Sequence, residues 1–569
     1  MLEVKNVNFT IQKGGEDLHL LEKVTVKVPR GHFMAIVGPS GCGKSTLLKT
    51  IAGINVESEG ELKWDGRNLS EEGDLEPHEF GYVPQFSIAY DQMTVEESID
   101  NAVRLRLKTD GRADLESRSD KIIQQTGLDA IRERRVGVLS GGQKRRLGLA
   151  LELATNPDLL LCDEVTSGLD PKSEAEIVKL LHKLAKSDNR VVISVTHSLG
   201  NLDLYDSVLV LYEGRVVYHG PPRAINHYFG VSEAEDVYPQ LAKRESGDWG
   251  ESWTKYRDEY YRTMEIPEVS PPRQEEDTRR APGFLKQVSV LLERRWKIFF
   301  RDKTQLILQL AMLLIFPGVV VLFALDGLPN LEQGAHTSGT LAFNPDAAAN
   351  AVKETMLRRT NYGGVVSGLI MFQVVLLALM GSNNSAREIA GERQIYEKEK
   401  LGGLGVVSYL TSKFMFLIVF VLVQSLWMYI FVWCFTQNMP TNGMMHPLLL
   451  VLVNAAMTAV CLGISASMKN ADQASLLSVY LVGFQLPLSG AILALPDQIE
   501  PILQPLISAY WGWSGIVESI SDNVQKQPVH DVTDATLRPT TLCAFLLLGH
   551  ILVGGLISLI GAAKGRWAH

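Results

Sequence analysis

Two textures divide the chain. Up to about residue 283 charged and apolar positions are mixed, as in a soluble globule, whereas from about residue 305 long apolar runs alternate with short polar ones. A helix needs about 20 apolar residues to cross about 30 Å of hydrocarbon. Six runs meet that length, at approximately 306–325, 363–383, 414–435, 447–467, 475–495 and 541–562, so residues 304–569 are predicted to form an all-α domain of six membrane helices. The fourth run, "LVNAAMTAVCLGISASM", is the most polar, and its Asn454 and Thr458 are expected to bond a neighbouring helix or their own backbone. Just before the first run, "FLKQVSVLLERRWKIFFRDK" (284–303) mixes aromatics with clustered Arg and Lys. That pattern predicts either an amphipathic helix in the membrane interface or a polar overhang of the first span.

Within the mixed half the period changes several times. An apolar strand, Phe33 to Val37, runs through a glycine-rich turn into a helical pattern, which predicts an α/β domain with a phosphate loop at a helix N-terminus. The turn, Gly38, Pro39, Ser40, Gly41, Cys42, Gly43, Lys44, Ser45 and Thr46, fits G-x-x-x-x-G-K-S. Gly38, Gly41 and Gly43 let backbone N–H groups converge on phosphate, Lys44 reaches the β and γ phosphates, and Ser45 offers an oxygen to Mg²⁺. A second strand, Leu159 to Cys162, ends in Asp163 and Glu164. Such a pair alone is more often a solvated turn or a helix cap. Beside a phosphate loop, Asp163 can hold Mg²⁺ through water and Glu164 can orient or deprotonate the attacking water. A third strand, "RVVISVTHS", delivers His197, whose neutral imidazole can hydrogen-bond a γ-phosphate oxygen.

Composition narrows the function. A formal charge of −9 with no basic face argues against a nucleic-acid partner, which would be bound by displacing counterions from phosphates. The five cysteines have no metal-ligand spacing and suggest no disulfide framework. No basic segment followed by an apolar one opens the sequence, so the N-terminus is expected in the cytoplasm. Six spans would return the C-terminus to the same side, in agreement with the excess of Lys and Arg placed there, including Arg294, Arg295, Arg387, Arg393 and Lys398. The spans carry no acid or base near their centres, so an ion-coupled relay is not indicated.

The ordered set of phosphate loop, "YVPQ" with Gln85, "LSGGQ", Asp163–Glu164, "SGLD" with Asp170, and His197 resembles the nucleotide-binding domain of ATP-binding cassette transporters along nearly all of residues 1–230. The resemblance implies ATP and Mg²⁺ as cofactors, with Ser45, Gln85 and Asp163 serving the metal and Glu164, Gln85 and His197 serving catalysis. It implies that Phe9 stacks on adenine and that Asp170 communicates between subunits. It further implies that Ser140, Gly141, Gly142 and Gln143 close over ATP held by the facing subunit. Physically, a helix N-terminus and its free N–H groups favour negative charge by roughly 0.3–1 kcal/mol at exposed surfaces, so two such ends clamp one triphosphate. Only one set of motifs occurs, so a second chain, the same or a closely related half-transporter, is expected.

Cassette before membrane domain, "TSGLDP", and the charged segment around "ERQIYEKE" are similar to G-subfamily exporters, whose connecting and coupling helices the 284–303 and 388–400 segments resemble. Residues 231–283 are then a linker. "LSGGQKRR" in place of the usual Ser-Gly-Gly-Glu form, Val165 in place of Pro, and an outer loop of about 496–540 without Cys or glycosylation sequon point to a bacterial relative in the inner membrane. From the resemblance, spans two and five would line a cavity with Phe372, Gln373, Phe484, Gln485 and Leu486. A Gln or Phe at such a place also serves plain helix packing. The expected activity is an ATP hydrolase that exports a hydrophobic or amphipathic cargo, lipid-like molecules among the candidates, in contact with membrane lipid. The alternative is a membrane ATPase that moves a partner protein and carries no cargo.

Overall fold

The computed structural model describes residues 1–85, 88–262, 281–325, 345–436, 439–489, 496, 498–533 and 536–564. Its chain divides into two compact units. The first comprises Met1–Val290 and Glu397–Leu404 of the described residues, and the second Leu291–Tyr396 and Gly405 onward.

The first unit holds two sheets. A four-stranded antiparallel sheet has the order β2 (Glu16–Val28), β1 (Leu2–Lys13), β4 (Glu59–Trp64), β5 (Arg67–Asn68). A six-stranded sheet has the order β10 (Arg215–Gly220), β9 (Ser207–Tyr212), β3 (Phe33–Val37), β8 (Val191–Val195), β7 (Leu159–Asp163), β6 (Phe80–Val83). From β9 to β6 all neighbours are parallel, and only the β9–β10 edge is antiparallel. Strands β3, β7 and β8 read "FMAIV", "LLLCD" and "VVISV" and are buried along their whole length, as parallel strands covered on both faces must be. Parallel neighbours end on the same side, and the crevice beyond their carboxyl ends is where such sheets bind ligands.

The unit does not stop at residue 230. Residues Val237–Leu241 and Ser246–Arg262, expected within a linker, are helices. Trp249 and Trp253 are buried with Tyr218 and Phe229 in the same core, and Tyr218 Oη donates to the carbonyl of Pro221 at 2.8 Å. Residues 263–280 of the expected linker lie outside the described residues. Also in this unit, Lys398 Nζ is 2.9 Å from Glu152 Oε1, and Arg106 Nη1 is 2.8 Å from Glu152 Oε2, all three side chains being buried.

In the second unit, five helices among the described residues are long and apolar enough to span a membrane. They include Lys303–Ala324, Pro345–Ser385, Val406–Thr436, Met445–Ser467 and Thr540–Ala563, which cover five of the six expected spans. The segment expected at 475–495 differs. Its helix, Ala471–Gly483, has 13 residues and gives way to a 3₁₀ turn at Pro487–Ser489, while residues 490–495 lie outside the described set. Proline disfavours helical backbone in the residue before it and removes a donor, so the apolar run does not become one helix.

Amide side chains tie these helices together. Gln309 Nε2 donates to Asn384 Oδ1 at 2.8 Å, Asn384 Nδ2 to Gln424 Oε1 at 2.8 Å, and Gln424 Nε2 back to Gln309 Oε1 at 3.0 Å, a closed ring across three helices. Asn454 Nδ2 reaches Ser425 Oγ at 3.2 Å, the helix-to-helix bond expected of it. Such bonds average about 0.6 kcal/mol in lipid, so they set register more than they add stability.

Candidate functional site

The phosphate loop is the β3-to-helix turn. A Cβ on Gly38 (φ 151°) would fall 2.1 Å from the carbonyl oxygen of Leu211, so no other residue fits the loop's first position. The helix Lys44–Ile51 begins without a side-chain cap, leaving its first N–H groups to an anion. Lys44 folds back over the loop, donating from Nζ to the carbonyls of Gly38 at 2.9 Å and Pro39 at 2.8 Å. Pro39, Ser40, Gly41, Cys42, Ser45 and Thr46 complete the turn, with Cys42 buried and its thiol pushed up by that burial.

Four adjacent parallel strands bring the rest to the same edge. Ser45 Oγ donates to Asp163 Oδ1 at 2.8 Å, linking the loop to the end of β7. Asp163 is buried, which raises its pKa, while its bonds from Ser45 and Tyr82 lower it. Glu164 follows with φ 50°, a left-handed backbone that costs a non-glycine residue about 1–2 kcal/mol. That conformation is fixed by its N–H on the Val195 carbonyl at 3.2 Å and by the Ser167 N–H on its own carbonyl at 3.0 Å. The turn aims the carboxylate away from Asp163 and toward the ends of β6 and β8. There Gln85 Nε2 donates to Glu164 Oε2 at 2.7 Å, and His197 Nε2 lies 2.8 Å from Oε1. The carboxylate accepts, so this ring nitrogen carries the proton. Glutamine, glutamate and histidine, far apart in sequence, thus form one hydrogen-bonded set. Ser45, Asp163 and Gln85 offer oxygen atoms, the donor chemistry a small hard cation such as Mg²⁺ takes.

The remaining sequence candidates sit elsewhere. Ser140 caps the helix Gly141–Glu152: its Oγ accepts from the Gln143 N–H at 3.4 Å while Gln143 Oε1 accepts from the Ser140 N–H at 3.0 Å. "SGGQ" is therefore a capping box, and Gln143 serves it as Glu would. Gly141 and Gly142 form the first turn, where a Cβ would only touch Leu169 and Ser173 at 3.6 Å. Asp170 caps the helix Pro171–Ser187, accepting from the Ser173 N–H at 3.1 Å, and this bond holds its carboxyl below the usual range. Phe9 lies on β1 opposite Leu21 and packs, partly buried, against the core.

In the second unit Gln373 and Gln485 are fully buried and used in packing. Gln373 Oε1 lies 2.9 Å from His446 Nε2, and Gln485 Oε1 accepts the Ala509 N–H at 3.0 Å at the start of the helix Ser508–Glu518. Phe372 and Phe484 are exposed on this chain, and Leu486 is partly buried.

Two residues of the site escaped the sequence reading. Tyr82, on β6, donates to Asp163 Oδ2 at 3.0 Å. Arg145, in the capped helix, reaches the Ser167 carbonyl at 3.5 Å; burial lowers its pKa and the Glu164 carboxylate opposes that. Neither stands at a motif position that names its partner, so spacing alone gave no signal.

Residues 21–167 match the family model for ABC transporter, and residues 286–512 match that for ABC-2 type transporter. The ABC transporter ATP-binding/permease protein Rv1747 of Mycobacterium tuberculosis is 30% identical over 536 residues, 91% of this chain; the chain spans 57% of that relative's length. Methionine import ATP-binding protein MetN 2 of Bacillus cereus is 32% identical over 262 residues, 43% of this chain and 77% of that protein. The energy-coupling factor transporter ATP-binding protein EcfA1 of Mycoplasma mobile is 35% identical over 227 residues, 40% of this chain and 81% of that protein. Among solved structures, the dimeric post-hydrolysis state of the ATP-binding cassette MJ0796 bound to ADP and Pi is 28% identical with a TM-score of 0.36. That match covers 39% of this chain and 99% of the other.

Proposed function

Since the chain belongs to the ATP-binding cassette transporter family, with a cassette followed by an ABC-2 type membrane domain, we propose that it is a half-transporter that pairs with a second copy and exports a hydrophobic or amphipathic, lipid-like cargo at the cost of ATP. The observation that carries the reading is the Gln85–Glu164–His197 set at the ends of β6, β7 and β8, beside the phosphate loop, in a chain that also has five membrane-capable helices.

In this arrangement each oxygen of Glu164 takes one hydrogen bond, which holds the carboxylate in place. The γ-phosphate would offer His197 another acceptor, and Gln85 would turn its oxygen toward the cation. Glu164 is then released to orient and deprotonate the attacking water. Lys44, bonded here to two carbonyls, would turn to the β and γ phosphates, and Ser45, bonded to Asp163, would help hold the ion. Mg²⁺, when bound, neutralises charge on the β and γ oxygens. The "SGGQ" cap of the facing chain supplies its helix N-terminus to the same triphosphate, so ATP joins two chains. The segment 388–400 passes this closure to the spans. On this reading both termini lie in the cytoplasm of a bacterium and the spans in its inner membrane.

The test is transport by the purified chain in proteoliposomes, with a panel of fluorescent amphiphiles. ATP-dependent movement that Glu164→Gln abolishes is expected. An intact ATPase that moves none of the panel would overturn the cargo assignment.

A further inference from the structure

Asp163 is the carboxylate this reading gives to Mg²⁺, and its two oxygens are held in different ways. Ser45 Oγ donates to Oδ1 at 2.8 Å from the phosphate loop, and Tyr82 Oη donates to Oδ2 at 3.0 Å from the neighbouring strand. The contact follows from register. Tyr82 stands opposite Leu161 in the parallel β6–β7 pair, and Asp163 lies two residues beyond Leu161 on the same face. Tyr82 is 4% exposed and Asp163 6%, so water hardly competes for the bond. The hydroxyl makes a bond to Asp163 that a phenylalanine ring could not make. A carboxylate that serves a metal must present its lone pairs in a fixed direction, and donors behind it set that direction. Ser45 cannot do this alone, because its own oxygen is needed at the ion.

We propose that Tyr82 is a positioning residue for the cation site, fixing the plane of the Asp163 carboxylate so that Oδ1 and Ser45 Oγ present together to Mg²⁺. The inference rests on Asp163 being the metal's carboxylate. It places the metal's support on the strand that leads, three residues later, to Gln85, so β6 carries a donor behind the cation site and runs directly into the segment that holds Gln85.

The experiment uses the full chain in nanodiscs and reads binding of a fluorescent, non-hydrolysable ATP analogue as Mg²⁺ is titrated. Tyr82→Phe is expected to raise the half-saturating Mg²⁺ about tenfold or more. Analogue affinity in EDTA is expected to stay at the parent value, with the nucleotide-free melting curve as the folding control. In an Asp163→Asn background, Tyr82→Phe should add nothing, because its effect runs through that carboxylate. An unchanged Mg²⁺ midpoint in Tyr82→Phe, when Ser45→Ala and Asp163→Asn both raise it, overturns the role of Tyr82. So does an equal loss with and without Mg²⁺, or a full further loss on top of Asp163→Asn. If Ser45→Ala and Asp163→Asn also leave the midpoint unchanged, the assignment of Asp163 fails and takes the proposal with it.

Discussion

Glu164 Oε2 accepts from Gln85 Nε2 and Oε1 from the His197 ring, and the two bonds hold the carboxylate in place at the ends of β6 and β8. On the proposed reading, replacing Glu164 with Gln keeps the shape and removes the base. Glu164→Gln is therefore expected to bind ATP as the parent does and to lose turnover by about 10²–10⁴-fold, measured as phosphate release beside nucleotide binding. Loss of binding in parallel with turnover would mean that the side chain serves the loop's structure. Elsewhere in the cassette, His32 Nε2 lies 2.7 Å from Ser207 Oγ, His219 Nε2 lies 3.3 Å from the same oxygen, and His219 Nδ1 meets Tyr261 Oη at 3.1 Å. Burial pulls His32 down to about 4, with Asp206 opposing and Lys186 assisting, and pulls His219 to about 3 by burial and the nearby His32. The unfolded chain, titrating near 6.5, then binds more protons than the folded one below that pH. The stability these groups contribute is complete above about pH 6.5 and is lost as pH falls through about 4 for His32 and about 3 for His219. Melting temperature measured across that range should decline, and His32→Asn with His219→Asn should flatten the decline. The sequence could name candidate site residues because each motif carries a chemistry. The pairings were not legible, since Gln85 and His197 meet Glu164 only through strand order, and Tyr82 meets Asp163 only through register.

At the scale of elements, periodicity and length carried the reading where one physical demand dominated. Five apolar runs became long helices because a membrane span needs length and little else. The run at 475–495 was apolar too, but Pro487 and the turn before it cut its helix to 13 residues. Residues 246–262 read as charged and mixed, yet Trp249 and Trp253, one helical turn apart, are buried with Tyr218 and fasten the helix to the cassette core. Helix contacts in the second unit were not visible as spacing. The helices Met445–Ser467 and Thr540–Ala563 approach so closely that a Cβ on Gly554 would fall 2.5 Å from the carbonyl carbon of Ala459. Gly554→Ala is expected to separate or shift this pair and to lower the melting temperature of the purified protein by several degrees. A neutral outcome would mean the helices have room that their backbones do not display. Ser140 and Asp170 illustrate the reverse case, in which a motif read for its chemistry also follows a rule of local structure, each capping a helix in its own chain.

For the molecule as a whole, the proposed nucleotide site takes a phosphate loop from one chain and a capped helix N-terminus from another, and the sequence supplies one motif of each kind. In the first unit, the buried Glu152 joins Arg106 to Lys398, so the 397–404 segment is bound into the cassette by charge as well as by packing. In the second, Arg393 donates to the Ala466 carbonyl and Tyr396 Oη to that of Ala562 at 2.9 Å, at the C-terminal ends of two long helices. The account depends on ATP being held between two chains, and the most direct measurement is turnover by single copies. One chain per nanodisc, verified by mass, should bind ATP yet hydrolyse it at a small fraction of the rate of discs that hold two. Equal rates per chain in the two preparations would contradict the account.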